Sequence, residues 1–202
     1  MSTGSIGTIR TKKAVIRLEL LGRRHALSQQ ECAQRSKIIC ERFLAVDQYR
    51  DASTILLYKA YNNEVDTDLI FERAIEDGKT VAYPLSSIND GEPDLKFYVI
   101  NDLSDLKAGY KGIKEPDLSK DPVAFDEKAD ICIVPGVGFD RKCHRIGYGK
   151  AFYDRYIRLN GPKLVAGLAY DLQITDDFEP EETDRSVDIV VTESATYTGS
   201  GS

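Results

Sequence analysis

The run Ile131-Cys132-Ile133-Val134-Pro135-Gly136-Val137-Gly138-Phe139-Asp140, followed by Arg145-Ile146-Gly147-Tyr148-Gly149-Lys150-Ala151-Phe152-Tyr153-Asp154-Arg155, decides how this chain is read. Four consecutive apolar residues ending at a proline predict a strand buried on both faces, because a half-exposed strand would alternate. Gly136 and Gly138 mark a turn, and Gly147 with Gly149 open a helix reaching about Arg158. A strand that delivers a basic, glycine-rich loop to a helix start surrounds one point with accessible backbone N–H groups, a helix dipole and cations. A polyphosphate requires that environment, so nucleotide chemistry is expected here.

Outward from this run, short apolar segments alternate with helical ones. Thr54 to Tyr58, Lys79 to Tyr83 with a stop at Pro84, Leu95 to Ile100, Lys163 to Ala169 and Val187 to Val191 read as strands. Thr67 to Asp77, closed by Gly78, reads as a helix between the first two, and Asp66 suits its N-cap. Near the start, Ala14, Val15, Leu18 and Leu21 recur at helical spacing between Thr11 and about Arg24. Ser28 with Glu31 gives a capping box for a second helix ending near Phe43 or Leu44. Asn101 to Pro122, rich in Gly, Pro, Asp and Lys, reads as an irregular connection. The pattern predicts the α/β class: one domain with an open, mostly parallel sheet flanked by helices on both faces, Rossmann-like. Ligands of such sheets sit beyond the carboxyl ends of the strands, where the Pro135 to Lys150 loop falls. Residues 1–9 and 195–202 are small and polar and are expected to be disordered, leaving 10–194 as the domain.

Composition narrows the function. The chain has 202 residues, 42% hydrophobic and 30% charged, with a net charge of -6. It lacks the basic field that extended nucleic-acid binding needs, so nucleic acid is not expected as a partner. No apolar stretch approaches a bilayer span and no secretory signal is evident, so a cytoplasmic protein without membrane contact is expected, read as a monomer. Cys32, Cys40, Cys132 and Cys143 show no C-x-x-C spacing, and with only His25 and His144 available a structural zinc site is disfavoured. Free thiols fit best. Cys143 beside His144 suggests a nucleophile and base, yet sequence neighbours rarely present that geometry, and an ordinary loop position is the simpler reading.

The loop matches neither G-x-x-x-x-G-K-[ST] nor G-x-G-x-x-G. On residue types alone it is either a phosphate cradle or a solvated basic loop whose glycines serve only turns. It does resemble the signature of the 5-formyltetrahydrofolate cyclo-ligase family, P-G-x-x-F-D followed by R-L-G-x-G-K and G-Y-Y-D-R. Here those blocks stand as Pro135 to Asp140 and Arg145 to Arg155. The likeness continues through Lys13 and Arg17, Asn63-Glu64-Val65-Asp66-Thr67, Gly112 to Pro116, Gly167 to Gln173 and Asp184 to Glu193, in the same order along nearly the whole chain.

The resemblance implies ATP-dependent conversion of 5-formyltetrahydrofolate to 5,10-methenyltetrahydrofolate. ATP activates the formyl oxygen as an imino-phosphate, N10 attacks, and phosphate leaves. It implies ATP as co-substrate, Mg2+ as cofactor, and the small molecules ATP and 5-formyltetrahydrofolate as partners. Carried over, Arg145 and Lys150 are catalytic cations. Lys13, Arg17, Arg145, Ile146, Gly147, Tyr148, Gly149, Lys150, Ala151, Phe152 and Tyr153 bind ATP. Lys59, Glu64, Tyr148, Gly149, Lys150, Ala151 and Phe152 meet the folate, Glu64 as a carboxylate for the pterin's amino-pyrimidine edge. Asp154 and Asp184 hold magnesium, which takes one or two carboxylates plus phosphate oxygens. Plainer readings remain: Asp154 paired with Arg158, Asp184 as a cap, Glu64 and the helical Lys13–Arg17 pair solvated, and Phe152, Tyr153 and Tyr148 as simple core. A non-catalytic folate- or nucleotide-binding paralogue and a small-molecule kinase are the rival functions. Two departures stand out: Ala151 replaces a glycine, and Lys142-Cys143-His144 replaces a glycine or asparagine turn.

Overall fold

The computed structural model describes residues 3–109, 112–180 and 186–199, with side chains from residue 11 onward. In chain order the elements are α1 (Thr3–His25), α2 (Gln29–Leu44), α3 (Asp47–Asp51), β1 (Thr54–Leu56), α4 (Asp68–Glu76), β2 (Thr80–Asn89) and β3 (Glu92–Val99). Then come β4 (Leu106–Ala108), β5 (Lys114–Pro116), β6 (Ala124–Phe125), β7 (Ile131–Val134), β8 (Gly138–Phe139), β9 (Arg145–Ile146), α5 (Phe152–Asn160), β10 (Leu164–Leu168), β11 (Ile189–Val191) and β12 (Thr196–Thr198).

An eight-stranded sheet runs in the order β12-β11-β10-β7-β1-β2-β3-β6. The inner strands β11, β10, β7, β1 and β2 are mutually parallel, and antiparallel β12, β3 and β6 extend the two edges. Numbered among themselves, the parallel strands follow the doubly wound order 2-1-3-4-5. Alternate residues feed two cores. Ile55, Ile131, Ile133, Ala166 and Ile189 pack with Ile39, Phe43 and Ile70 from α2 and α4. Leu56, Cys132, Val134, Val165 and Val190 pack with Tyr156 of α5. Both faces are covered, which is why these strands read as unbroken apolar runs.

Strand order reverses between β1 and β7, so their carboxyl ends diverge and leave the switch-point crevice where such sheets bind ligands. The loops carrying Glu64 and Gly136 leave from these two ends. Among the described residues no helix is long and apolar enough to cross a membrane.

Several local expectations need correction. β2 does not stop at Pro84 but runs through it to Asn89. Partner β1 has already ended opposite Ala82, so Pro84 lies where the strand is paired on one side only, a place that tolerates a missing N–H. Asp90 and Gly91, both at positive φ, then turn the chain into β3, as the Asp-Gly pair of a tight hairpin does. The supposedly irregular 101–122 connection contains the β4–β5 hairpin. Residues 195–199 are not a disordered tail, because β12 pairs with the otherwise open edge of β11 and Gly199 N donates to Asp188 O at 2.8 Å. Helix α1 likewise starts at Thr3, inside the expected disordered 1–9.

Candidate functional site

The stretch after β7 folds back as a small β8–β9 hairpin before α5 begins. Phe139 anchors it. A Cβ at Gly136 would sit 2.4 Å from the Phe139 ring and one at Gly167 would sit 2.5 Å away, so both glycines make room for that ring. The hairpin turn is organised by Asp140, whose carboxylate accepts from Lys142 N at 2.9 Å and His144 N at 2.8 Å and meets His144 Nδ1 at 2.6 Å. His144 therefore faces Asp140, not Cys143. The Cys143 thiol is buried and pushed up to about 11 by that burial, so it is no activated nucleophile. All four cysteines are free.

Arg145 leaves β9 toward the sheet and is 6% exposed. Nη1 donates to Pro135 O at 3.0 Å and Nη2 to Asp154 Oδ1 at 2.7 Å. Asp154 thus pairs with Arg145, not Arg158. Nε of Arg145 is buried without a partner among the described residues. Gly147 passes so close that a Cβ there would lie 3.2 Å from Nη1, while Gly149 needs its φ of +82°. Backbone strain continues at Ala151, the N-cap of α5, at φ 54° and ψ 17° with no side-chain cap. The helix therefore starts at Phe152, later than Gly149. Both departures from the family pattern fall on left-handed backbone, since Cys143 has φ 67°.

Helix α1 supplies the opposite wall, though not as its apolar spacing suggests. Val15 and Leu18 are 60% and 73% exposed, whereas Lys13 and Arg24 are buried at 5% and 1%. Arg17 Nε donates to Gly147 O at 2.8 Å, tying the helix to the glycine loop. Leu20 packs onto Gly138, where a Cβ would come within 2.4 Å of it. Beside the apolar patch of Leu20, Ile16 and Leu21, the inward face of α1 carries Arg17 and Arg24, because the loop carbonyls beneath them are acceptors that apolar side chains would leave unpaired. Lys150, which follows the glycine pair in the chain, is exposed.

Glu64 is brought to the same place. Tyr148 donates its hydroxyl to Glu64 Oε1, and Tyr61 N donates to Oε2 at 3.0 Å. Burial holds the Glu64 carboxyl above the usual carboxylate range, opposed by the Tyr148 hydrogen bond and by Arg24. Lys59, by contrast, is engaged by Asp68 at the start of α4. Asp66 Oδ1 accepts from Asp68 N at 2.8 Å, close to its expected capping role, although Thr67 is the N-cap. Phe152 and Tyr153 are half-buried against the α5-side core, while Tyr148 stays 43% exposed. Asp184 lies outside the described residues. Arg24 is the functional candidate that sequence reading missed. Its only signal is register, since 13, 17 and 24 share one helical face.

Fold and site together define a class: a doubly wound α/β protein whose switch point holds a cation-lined glycine loop suited to a phosphorylated small molecule. Within that class the chain belongs to the 5-formyltetrahydrofolate cyclo-ligase family, whose model matches residues 9–193, and it is a ligase of that family. It is similar to the 5-formyltetrahydrofolate cyclo-ligase of Mus musculus, 26% identical over 92% of this chain and 96% of the relative. The cyclo-ligase of Escherichia coli is 28% identical over 87% and 97%. The solved 5,10-methenyltetrahydrofolate synthetase of Aquifex aeolicus superposes with a TM-score of 0.80, 26% identity and 94% coverage of both chains.

Proposed function

We propose that this chain performs the cyclo-ligase reaction named for its relatives, ATP-dependent closure of 5-formyltetrahydrofolate to 5,10-methenyltetrahydrofolate, at the loop between β9 and α5. The chemistry divides into two demands. Phosphoryl transfer to the formyl oxygen needs charge neutralisation and alignment more than covalent help. Ring closure then needs N10 held against the activated carbon while phosphate departs.

The observation that carries the reading is Arg145: a buried cation, fixed by Pro135 O and Asp154, whose guanidinium lies against the bare backbone of Gly147 and whose Nε has no partner among the described residues. A fixed donor aimed where negative charge develops needs no reorganisation at the moment of reaction. Lys13, Arg17 and Lys150 add charge around the same loop, and Ile146, Gly147, Tyr148, Gly149 and Ala151 offer backbone contacts to ATP. Glu64, with Tyr148, would meet the pterin's pyrimidine edge. Phe152 and Tyr153 would back the pocket from the core side.

Asp154 fits a magnesium ion, because Arg145 takes only Oδ1 and magnesium is satisfied by one or two carboxylates with phosphate oxygens and water. Asp184 is the proposed second carboxylate. When bound, the ion would neutralise phosphate charge. Lys59, held by Asp68, would reach the folate only by exchanging that partner.

The test is spectrophotometric. Purified protein with ATP, magnesium and 5-formyltetrahydrofolate is expected to generate the long-wavelength absorbance of the conjugated methenyl product, and chelating the metal is expected to stop it. Folded protein that stays silent, or that binds both ligands without turnover, overturns the reading.

A further inference from the structure

Arg24 is a fully buried cation with no carboxylate in direct contact among the described residues, which is costly unless its charge is answered through a relay. Its guanidinium reaches three segments at once. Nε donates to Asn62 O at 3.1 Å, Nη1 to Gly136 O at 3.3 Å and Nη2 to the Tyr148 hydroxyl at 2.7 Å. Its carbon also lies 5.7 Å from the Tyr148 ring centroid. The link is reciprocal, because Asn63 Nδ2 donates back to Arg24 O at 3.3 Å and to Leu27 O at 2.9 Å. Asn62 and Asn63 are both left-handed, at φ 49° and 57°, and Glu64 N closes the turn on Tyr61 O at 3.1 Å. A hydroxyl that accepts from Arg24 has its own proton directed elsewhere, and that proton goes to Glu64.

We propose that Arg24 is the positioning residue of the folate half of the site: it orients the Tyr148 hydroxyl and, through it, fixes Glu64 as the carboxylate that receives the substrate's pyrimidine edge. This rests on the reading of Glu64 given above. The relay couples the nucleotide loop, which carries Tyr148, to the strap after β1, which carries Glu64. Arg24 touches neither substrate and acts through Tyr148.

The groups facing Glu64 are Arg24 from α1, Tyr58 from the end of β1, Tyr61 from its own turn, Tyr148, Tyr153 from α5 and Tyr170 from the end of β10. Arg24 is the cation among them. Burial holds Tyr58, Tyr148, Tyr153 and Tyr170 above the ordinary tyrosine range, so they do not titrate in the acid limb. Arg24 favours the charged form of Glu64, so removing it raises the Glu64 carboxyl further. The acid limb of kcat/KM for 5-formyltetrahydrofolate should then move to higher pH.

The test compares Arg24→Met, Arg24→Lys and Tyr148→Phe in the turnover assay. Arg24→Met is expected to raise KM for 5-formyltetrahydrofolate about tenfold or more while KM for ATP changes less than about threefold, and to shift the acid limb upward by roughly half a unit or more. Arg24→Lys keeps the charge but not the three-way fork, so it should restore the limb more than the KM. Tyr148→Phe, at an exposed side chain, keeps the fold testable should the buried variants fail, and should reproduce the folate-side KM rise. In a Glu64→Gln background Arg24→Met should add little, because one interaction cannot be lost twice. Additive effects, an unmoved acid limb, or equal rises in both KM values that track lost thermal stability would each overturn the proposal. A folded wild-type protein without turnover would instead overturn the functional reading beneath it.

Discussion

Helices α1 and α2 follow one another in the chain and both bury apolar side chains, Leu20 with Ile16 and Leu21 in α1, yet α1 buries cations as well. Helix α2 turns Cys32, Ser36, Ile39, Cys40 and Phe43 inward against the sheet. Helix α1 leaves Val15 and Leu18 in solvent and turns Lys13, Arg17 and Arg24 inward over the loops at the carboxyl edge. The first arrangement lowers the free energy of folding through transfer of apolar area from water. The second spends desolvation of cations to hold them in place, Arg17 against the Gly147 carbonyl and Arg24 against the Tyr148 hydroxyl. Buried cations are thus found on α1 and not among the buried residues of α2, and substitutions can be chosen to test whether that difference divides function from stability.

The largest effect is expected at Arg145. Arg145→Met removes a fixed buried donor from the glycine loop and frees Asp154, and kcat/KM should fall by about 10²–10³ or more. A variant that folds and keeps more than about a tenth of wild-type kcat/KM would take Arg145 out of the reacting centre. The helices themselves are separated by a paired test. Phe43→Ala in α2 should cost about 3–5 kcal/mol of unfolding free energy, read by urea titration, because a fully buried ring leaves a cavity. Arg17→Met in α1 should change stability by only about 1 kcal/mol or less yet raise KM for ATP roughly tenfold or more, if the proposed charge-assisted contact to a phosphate is what Arg17 supplies. The reverse outcome, a stability loss at 17 and an affinity loss at 43, would show that α1 and α2 have been assigned the wrong way round.

The same contrast explains what the sequence disclosed. Strands β7 and β10 were legible because burial on both faces demands continuous apolar runs, and the Ser28–Glu31 box was legible because its hydrogen bonds are local: Glu31 N donates to Ser28 Oγ at 3.2 Å and Ser28 N to Glu31 Oε2 at 2.9 Å. The family blocks pointed to the loop at 145–154, and the structure brings Arg17, Glu64, Tyr148, Arg145 and Asp154 to it. On α1 the expected Leu21 does pack inward beside Leu20, but the buried cations were not legible. Their partners are the backbone carbonyls of Asn62, Gly136 and Gly147, which no side-chain pattern announces, so the helix rule pointed the apolar residues inward. Pairing beyond Pro84 is not announced by the sequence, because whether a proline ends a strand depends on whether a neighbouring strand needs its N–H, and β1 ends before Pro84. The β8–β9 hairpin was missed because two-residue strands held by Phe139 carry no periodicity of their own.

The smallest expected effect concerns the two ends of α5, which are built from the same backbone conformation but not the same residue. Ala151 begins the helix at φ 54°, and Gly161 ends it at φ 50°. For an L-residue with a Cβ that region costs roughly 1 kcal/mol, which glycine does not incur. Neither glycine nor alanine offers a side-chain acceptor at this N-cap, but glycine adopts the left-handed backbone there without a Cβ penalty. Ala151→Gly should therefore raise unfolding free energy by about 1 kcal/mol, and Gly161→Ala should lower it by about the same amount because open space surrounds a Cβ there and only the backbone objects. Equal and opposite shifts in the denaturation midpoint would assign the difference to backbone strain alone. A loss of stability in Ala151→Gly would mean that the alanine methyl makes a packing contact worth more than the strain it imposes.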